Sequence, residues 1–152
     1  MINSVDCYTC RSISGERRIS PGPTIYEGRY WLIEHAYPTR LKGWLVIVLK
    51  RHVGTLHELT REEFIELGEL QALAVRMLHE ELDCAKEYVA CFAEAEHFQH
   101  IHFHIIAKPR GLSDEFKGTK IYALIDVTEA EALPREEVAA FCEELRCKNV
   151  WN

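Results

Sequence analysis

Four of the chain's eight histidines fall in the eight positions from His97 to His104. Three of them alternate with apolar residues in the run His100-Ile101-His102-Phe103-His104-Ile105-Ile106. Side chains of a β-strand point to opposite faces with a period of two. A strand from about Phe98 to Ala107 would therefore line three imidazoles along one face and send Ile101, Phe103 and Ile105 into a core on the other. Imidazole titrates near neutrality, ligates metals, carries protons and attacks electrophiles. Two chemistries fit the row. Alternate histidines on a strand can chelate a catalytic zinc. Alternatively, one neutral histidine attacks phosphorus while its neighbours supply protons and hydrogen bonds, and the middle one is best placed for that. A second reactive group, Cys7-Tyr8-Thr9-Cys10, spaces two thiolates for one tetrahedral ion and needs two further ligands from elsewhere. A redox pair would sit after a strand in a βα unit, a context this N-terminal position lacks.

The elements that must position these groups are legible in order. Residues 11–24 carry Gly15, Pro21, Gly22 and Pro23 and read as a loop. Ile25-Tyr26 and Tyr30 to Ile33 read as short strands around Glu27-Gly28-Arg29, a hairpin signal. Trp44 to Leu49 is a continuous apolar run, expected to be a strand buried on both faces. It ends in Lys50-Arg51-His52, where basic groups meet either an anionic ligand or solvent. Thr60-Arg61-Glu62-Glu63 is a capping-box pattern. The helix after it runs to about Leu82, with Leu67, Leu70, Ala74, Leu78 and Leu82 on one stripe and His79 off it. Tyr88 to Ala93 reads as a strand joined to the histidine strand by a short turn at Glu94-Ala95-Glu96, hence antiparallel to it. The histidine strand ends at Lys108-Pro109-Arg110. Residues 111–120 read as a flexible loop and Ile121 to Val127 as an edge strand. Pro134 opens a last helix with Val138, Phe141, Cys142 and Leu145 on one face. The fold class expected is α+β: a mostly antiparallel sheet, one long helix packed on it, and a C-terminal helix.

Composition narrows the functions. At 152 residues and 47% hydrophobic, the chain suits a single domain, 1–152, with a real core. A formal charge of -6 argues against a broad nucleic-acid surface. No apolar run approaches the roughly 20 residues that span a membrane. Met1 to Asp6 shows neither the basic nor the apolar region of a signal peptide, so the six cysteines are expected to be reduced and the protein cytoplasmic. Cys84, Cys91 and Cys142 sit among apolar neighbours and read as small buried side chains.

The run from His100 to Ile106 matches, at every position, the His-φ-His-φ-His-φ-φ pattern (φ apolar) of the histidine triad family. Cys7-x-x-Cys10, the apolar strand 44–49 closing on Lys50-Arg51-His52, the long helix and Lys108-Pro109-Arg110 follow in the family's order. The chain thus resembles the zinc-bearing branch of that family, and is similar to its dinucleoside polyphosphate hydrolases, over about residues 5–110; residues 111–152 form an extension. The resemblance implies a nucleotide hydrolase or transferase cleaving at an α-phosphate. His102 would be the nucleophile that forms a nucleotidyl-histidine, and His104 would hydrogen-bond the phosphoryl group. It implies a structural Zn2+ on Cys7, Cys10, His52 and His100; without zinc, His52 would face the phosphates. It also implies a homodimer. The family's hydroxyl-bearing segment before the triad reads Ala95-Glu96-His97 here, so His97 or Gln99 is the expected substitute. The family's ribose-side Asp or Asn before the buried strand is not matched; His35 lies there. Lys50, Arg51, Lys108 and Arg110 are the candidates for stabilising phosphate charge. Phosphoramidate cleavage and nucleotidyl transfer are alternatives within the family. A metalloenzyme using His100, His102 and His104, and a slow-turnover nucleotide-binding protein, are alternatives outside it.

Overall fold

The computed structural model describes residues 6–148. Residues 1–5, part of the segment read for a leader, lie outside them, as do residues 149–152. The sheet has five antiparallel strands, β1 (Tyr26–Glu27), β2 (Trp31–His35), β3 (Trp44–Leu49), β4 (Cys84–Ala90) and β5 (His102–Pro109), in the order β1-β2-β3-β5-β4. Three helices accompany it: α1 (Tyr8–Ile13), α2 (Arg61–Glu81) and α3 (Arg135–Arg146). None of the described helices is long and apolar enough to cross a membrane.

The helix α2 starts where the capping box set it. Thr60 accepts from the Glu63 backbone N–H at 3.2 Å, and the Glu63 carboxylate accepts from the Thr60 N–H at 2.8 Å. Its stripe of Leu67, Leu70, Ala74, Met77 and Leu78 is buried on the sheet face formed by Ile33, Leu45, Ile47 and Ile105. Each large side chain buried there contributes about 1.5–3 kcal/mol. The helix also holds the first hairpin. The Glu66 carboxylate accepts the backbone N–H groups of Arg29, Tyr30 and Trp31 at 2.7, 2.7 and 3.0 Å. Gly28 permits this approach, since a Cβ there would stand 2.8 Å from Glu66 Oε1.

The opposite face of the sheet carries the chemistry. Cross-strand pairing sets Trp44 against Ile106, Val46 against His104 and Val48 against His102. Ile106 and Trp44 are covered by Ile121 and Leu124 from the C-terminal extension. Those two residues belong to a 3₁₀ segment, Gly118–Leu124, where an edge strand was expected. Residues three apart share one side of a 3₁₀ helix. Docking that side on the sheet overrides the β-favouring composition. Residues 111–120 also contain a 3₁₀ turn, Asp114–Phe116. The last helix forms as expected, with Pro134 as its N-cap and Val138, Phe141, Cys142 and Leu145 buried.

Two further differences concern the approach to the histidines. The strand expected from Tyr88 begins earlier, at Cys84, because an edge strand's polar residues hide it from an apolar pattern. The connection to β5 spans residues 91–101 instead of a short turn, and Ala93 (φ 51°) and His97 (φ 66°) take left-handed backbone. The histidine strand consequently starts at His102, not Phe98. His100 stands just before it and turns its ring elsewhere.

Candidate active site and metal cluster

Cys7 is the N-cap of α1, and its sulfur accepts the Cys10 backbone N–H at 3.4 Å. The three-residue spacing thus stacks both sulfurs at one helix end. His100 completes the approach from β5's side. Its Nε2 lies 2.6 Å from the Leu49 carbonyl. A carbonyl only accepts, so Nε2 carries the proton and Nδ1 presents a lone pair. That Nδ1 is 3.6 Å from Cys7 Sγ, 3.4 Å from Cys10 Sγ and 3.2 Å from His52 Nδ1. His52 Nδ1 is 3.3 Å from Cys10 Sγ. Bond lengths to zinc of about 2.3 Å for sulfur and 2.05 Å for nitrogen place tetrahedral ligands about 3.3–3.8 Å apart. The donor set and its spacing therefore fit a closed Cys₂His₂ zinc site. With no cation, burial above all, then the hydrogen bond and charge of Cys7, pushes the Cys10 thiol up to about 12. Burial likewise takes His100 down to about 4, which keeps it neutral and able to ligate.

The other two triad histidines line a cavity of about 560 Å³ over the open sheet face. His102 Nδ1 lies 2.6 Å from the His100 carbonyl, so Nδ1 carries the proton and Nε2 the lone pair. His104 has the opposite arrangement. The Trp44 indole N–H, a donor only, reaches His104 Nδ1 at 2.9 Å, so His104 carries its proton on Nε2. The two rings are 4.9 Å apart. Burial lowers both, His104 to about 3 with the charge of His102 adding to the effect, so both rings are neutral at pH 7. The cavity floor is Leu32, Val46 and Val48, and Phe98 and Tyr37 stand in its walls. Its charged lining residues are Glu34, Glu94 and Asp126; no lysine or arginine lines it among the described residues.

Of the other site candidates singled out in the sequence, only His35 is among those lining the cavity. The His97 ring stacks on Tyr8 at 4.5 Å, and its Nδ1 donates to the Asp6 carbonyl at 3.2 Å. With the Tyr8 N–H bonded to the His97 carbonyl at 2.9 Å, this residue clamps the start of α1 and does not line the cavity. Gln99 is exposed and outside the cavity lining. Lys50 pairs with Glu27 at 2.9 Å beside a small depression it shares with Arg18 and Glu34. Arg51 holds the Glu63 carboxylate at 2.6 and 2.8 Å, and those bonds are the main reason Glu63 falls to about 2. Arg51 thereby serves the cap of α2. Arg110 pairs with Asp83 at 2.9 Å, and Lys108 sits opposite Lys86 in the β4–β5 ladder. His35 is buried, bonded to the Ala36 carbonyl and to the Gly43 N–H.

Three residues here had no local signal. Trp44 read only as a strand residue, yet it fixes the His104 tautomer. Glu34 follows an apolar run and projects onto the cavity face, its carboxylate held by Arg18 at 2.9 and 3.0 Å and by Thr24 at 2.8 Å. Tyr122, from the extension, sets its ring 5.2 Å from His104 and 5.3 Å from Trp44, and its buried hydroxyl has no hydrogen-bond partner among the described residues.

Comparison with known proteins agrees with this geometry. No curated protein gives a match. A hypothetical protein from Leishmania major is 26% identical, with a TM-score of 0.60, over 72% of this chain and 78% of that one. A zinc-bound histidine triad family protein from Mycobacterium smegmatis shares the fold at a TM-score of 0.67 and 19% identity, over 95% of both chains. A hypothetical histidine triad nucleotide-binding protein from Sulfolobus tokodaii does so at 0.69 and 19%, over 92% of this chain and 89% of that one. The family model described as scavenger mRNA decapping enzyme C-term binding matches residues 7–118, from the first cysteine through β5 and into the extension. With that match spanning both the cysteine pair and the histidine strand, the chain belongs to the histidine triad family.

Proposed function

We propose that the protein cleaves a nucleotide at its α-phosphate, with His102 as nucleophile and His104 as donor to a phosphoryl oxygen. The observation that carries this is the opposed pair of tautomers on one cavity wall. One imidazole offers a lone pair on Nε2 and its neighbour an N–H on Nε2. In the first step His102 Nε2 forms a bond to the α-phosphorus, and the bond to the leaving phosphate breaks with its electron pair. The positive charge that develops on the ring is shared with Nδ1–H and stabilised by the His100 carbonyl. In the second step a water oxygen attacks the same phosphorus, the phosphorus–nitrogen bond returns its pair to Nε2, and the water proton passes to solvent. His104 Nε2–H supports the charge on the phosphoryl oxygens in both.

The apolar floor suits a base, and the Glu34 carboxylate retains lone pairs for ribose hydroxyls. The zinc cluster ties α1 to His100, whose carbonyl orients the nucleophile. Dinucleoside polyphosphates are the leading substrate class, since the small depression holding Lys50 and Arg18 adjoins the cavity at Glu34. A second reading is favoured by the acidic lining together with the matched family: a capped dinucleotide whose methylated base is cationic. The outer edge of β4, unpaired among the described residues, with Val89 on it and Phe92 just beyond it exposed, supports joining of two sheets in a homodimer. A panel of dinucleoside polyphosphates, methylated cap dinucleotides, nucleoside phosphoramidates and sugar nucleotides tests the reading, with rapid quenching at alkaline pH. The expected result is turnover of at least one class and a nucleoside monophosphate adduct on the peptide containing His102. Turnover without an adduct on that peptide would refute the mechanism.

Tyr122 supplies the hydroxyl that the segment before the triad lacks. Its ring lines the cavity beside His104, and its buried hydroxyl must turn toward the cavity to donate to a substrate oxygen. Tyr122→Phe is expected to lower kcat/KM about ten- to a hundredfold, the value of one hydrogen bond to a charged group. Its melting temperature should not fall, because the hydroxyl lost has no partner among the described residues. Steady-state kinetics beside a thermal melt distinguish this from a packing defect.

A further inference from the structure

A second cluster of metal-ligating side chains lies away from the histidine strand, where α2 passes into β4. His79 is on the last turn of α2, Cys84 opens β4 and Glu87 follows on the same strand. Cys84 Sγ is 3.6 Å from His79 Nδ1 and 3.1 Å from Glu87 Oε1, and His79 Nδ1 is 2.7 Å from the same carboxylate oxygen. Residues three apart on a regular strand point to opposite faces. Here the ladder slips between Cys84 and Lys86, so the bulge turns Cys84 and Glu87 to the same side. The backbone irregularity and the convergence of three different donors are therefore one construction.

We propose that His79, Cys84 and Glu87 form a second metal site, open on one side, for a borderline-soft divalent cation of the zinc class. The sulfur–nitrogen separation already matches two corners of a zinc tetrahedron, about 3.5 Å, and Glu87 must withdraw by only a few tenths of an ångström. A thiolate selects against magnesium and calcium, which prefer oxygen alone. Thiolate and carboxylate together balance a dication. Arg110 does not compete for the sulfur, since its guanidinium is taken by Asp83 and the Cys84 carbonyl. In the metal-free protein Glu87 accepts hydrogen bonds from both partners, and burial raises the Cys84 thiol to about 11. On binding, the thiol proton and the His79 Nδ1 proton leave to solvent, His79 Nε2 takes up one proton from solvent so that the ring stays neutral, and the ion takes sulfur, nitrogen and carboxylate oxygen. Three protein ligands leave the fourth position to water. The exposed His79 side opens that position to solvent, so this ion exchanges where the closed Cys₂His₂ cluster retains its own.

The test is a zinc titration of the metal-free protein against a chromophoric chelator, repeated with cobalt for its thiolate charge-transfer band. The wild type is expected to take up two ions per chain, the second weaker and removed first by chelator. His79→Gln, at an exposed position, should retain the fold and bind one ion. Cys84→Ala should do the same and lose the cobalt band of the second equivalent. Cys10→Ser reports on the other cluster and should leave the weaker site intact. A wild type that saturates at one ion, or a second ion that persists in both His79→Gln and Cys84→Ala, would overturn the proposal.

Discussion

Replacing His102 with alanine is expected to abolish turnover while leaving a folded protein that still binds nucleotide. The nucleophile has no substitute nearby. His104 is the nearest imidazole, but the Trp44 indole occupies its Nδ1 and its Nε2 carries the proton, so no lone pair faces the cavity. The loss should be on the order of 10⁴-fold or more in kcat, the size seen when a covalent nucleophile is removed. The structural cost is small. The His102 side chain is only half buried and makes one hydrogen bond among the described residues, to the His100 carbonyl, whose loss costs about 1–3 kcal/mol. Single-turnover kinetics with calorimetric binding separate the two effects. Hydrolysis near the wild-type rate in His102→Ala would eliminate the covalent mechanism.

The second large effect is expected at the cysteines. Cys7→Ser or Cys10→Ser should remove the zinc of the closed cluster and lower the melting temperature by about 10 °C, corresponding to about 3 kcal/mol at this chain length. The reason is the shortness of α1. A helix of six residues is not stable by itself. Besides the cluster, it is held by the Tyr8 N–H on the His97 carbonyl and by the His97–Tyr8 stack. Thr9, Ser12 and Ile13 of the same helix line the cavity, so its release should raise KM more than it lowers kcat. Metal analysis, thermal melts and hydrogen exchange over residues 8–13 check each part. Affinity for the ion should also fall as the pH is lowered, because the ion must displace the proton of the Cys10 thiol, which burial holds protonated. Unchanged metal content and stability in both variants would refute the ligand set.

Much of the scaffold can be read locally. The six apolar residues of β3, the Thr60–Glu63 box that starts α2 and the proline that starts α3 are each set by neighbours within a few positions. The histidine alternation is legible for the same reason, but only from His102 onward. It fails at His97 and His100 because the chain before the strand takes left-handed backbone at Ala93 and His97, which no periodicity records. Charge alone singles out Lys50, Arg51, Lys108 and Arg110, and charge does not specify a partner. Arg51 and Arg110 are engaged by Glu63 and Asp83, brought to them by the fold.

Local spacing accounts for the reactive groups: a cysteine pair at one interval, histidines at another, and the strands and helix that carry them. Spacing leaves open which nitrogen of each imidazole carries the proton. Role follows from which nitrogen holds the proton, and that is fixed by partners distant in the chain: the Leu49 carbonyl for His100 and the Trp44 indole for His104. The same holds for Tyr122 and Glu34, which reach the cavity through sheet pairing and the docking of the extension. Spacing is a property of neighbours along the chain; tautomer and burial are properties of neighbours in space.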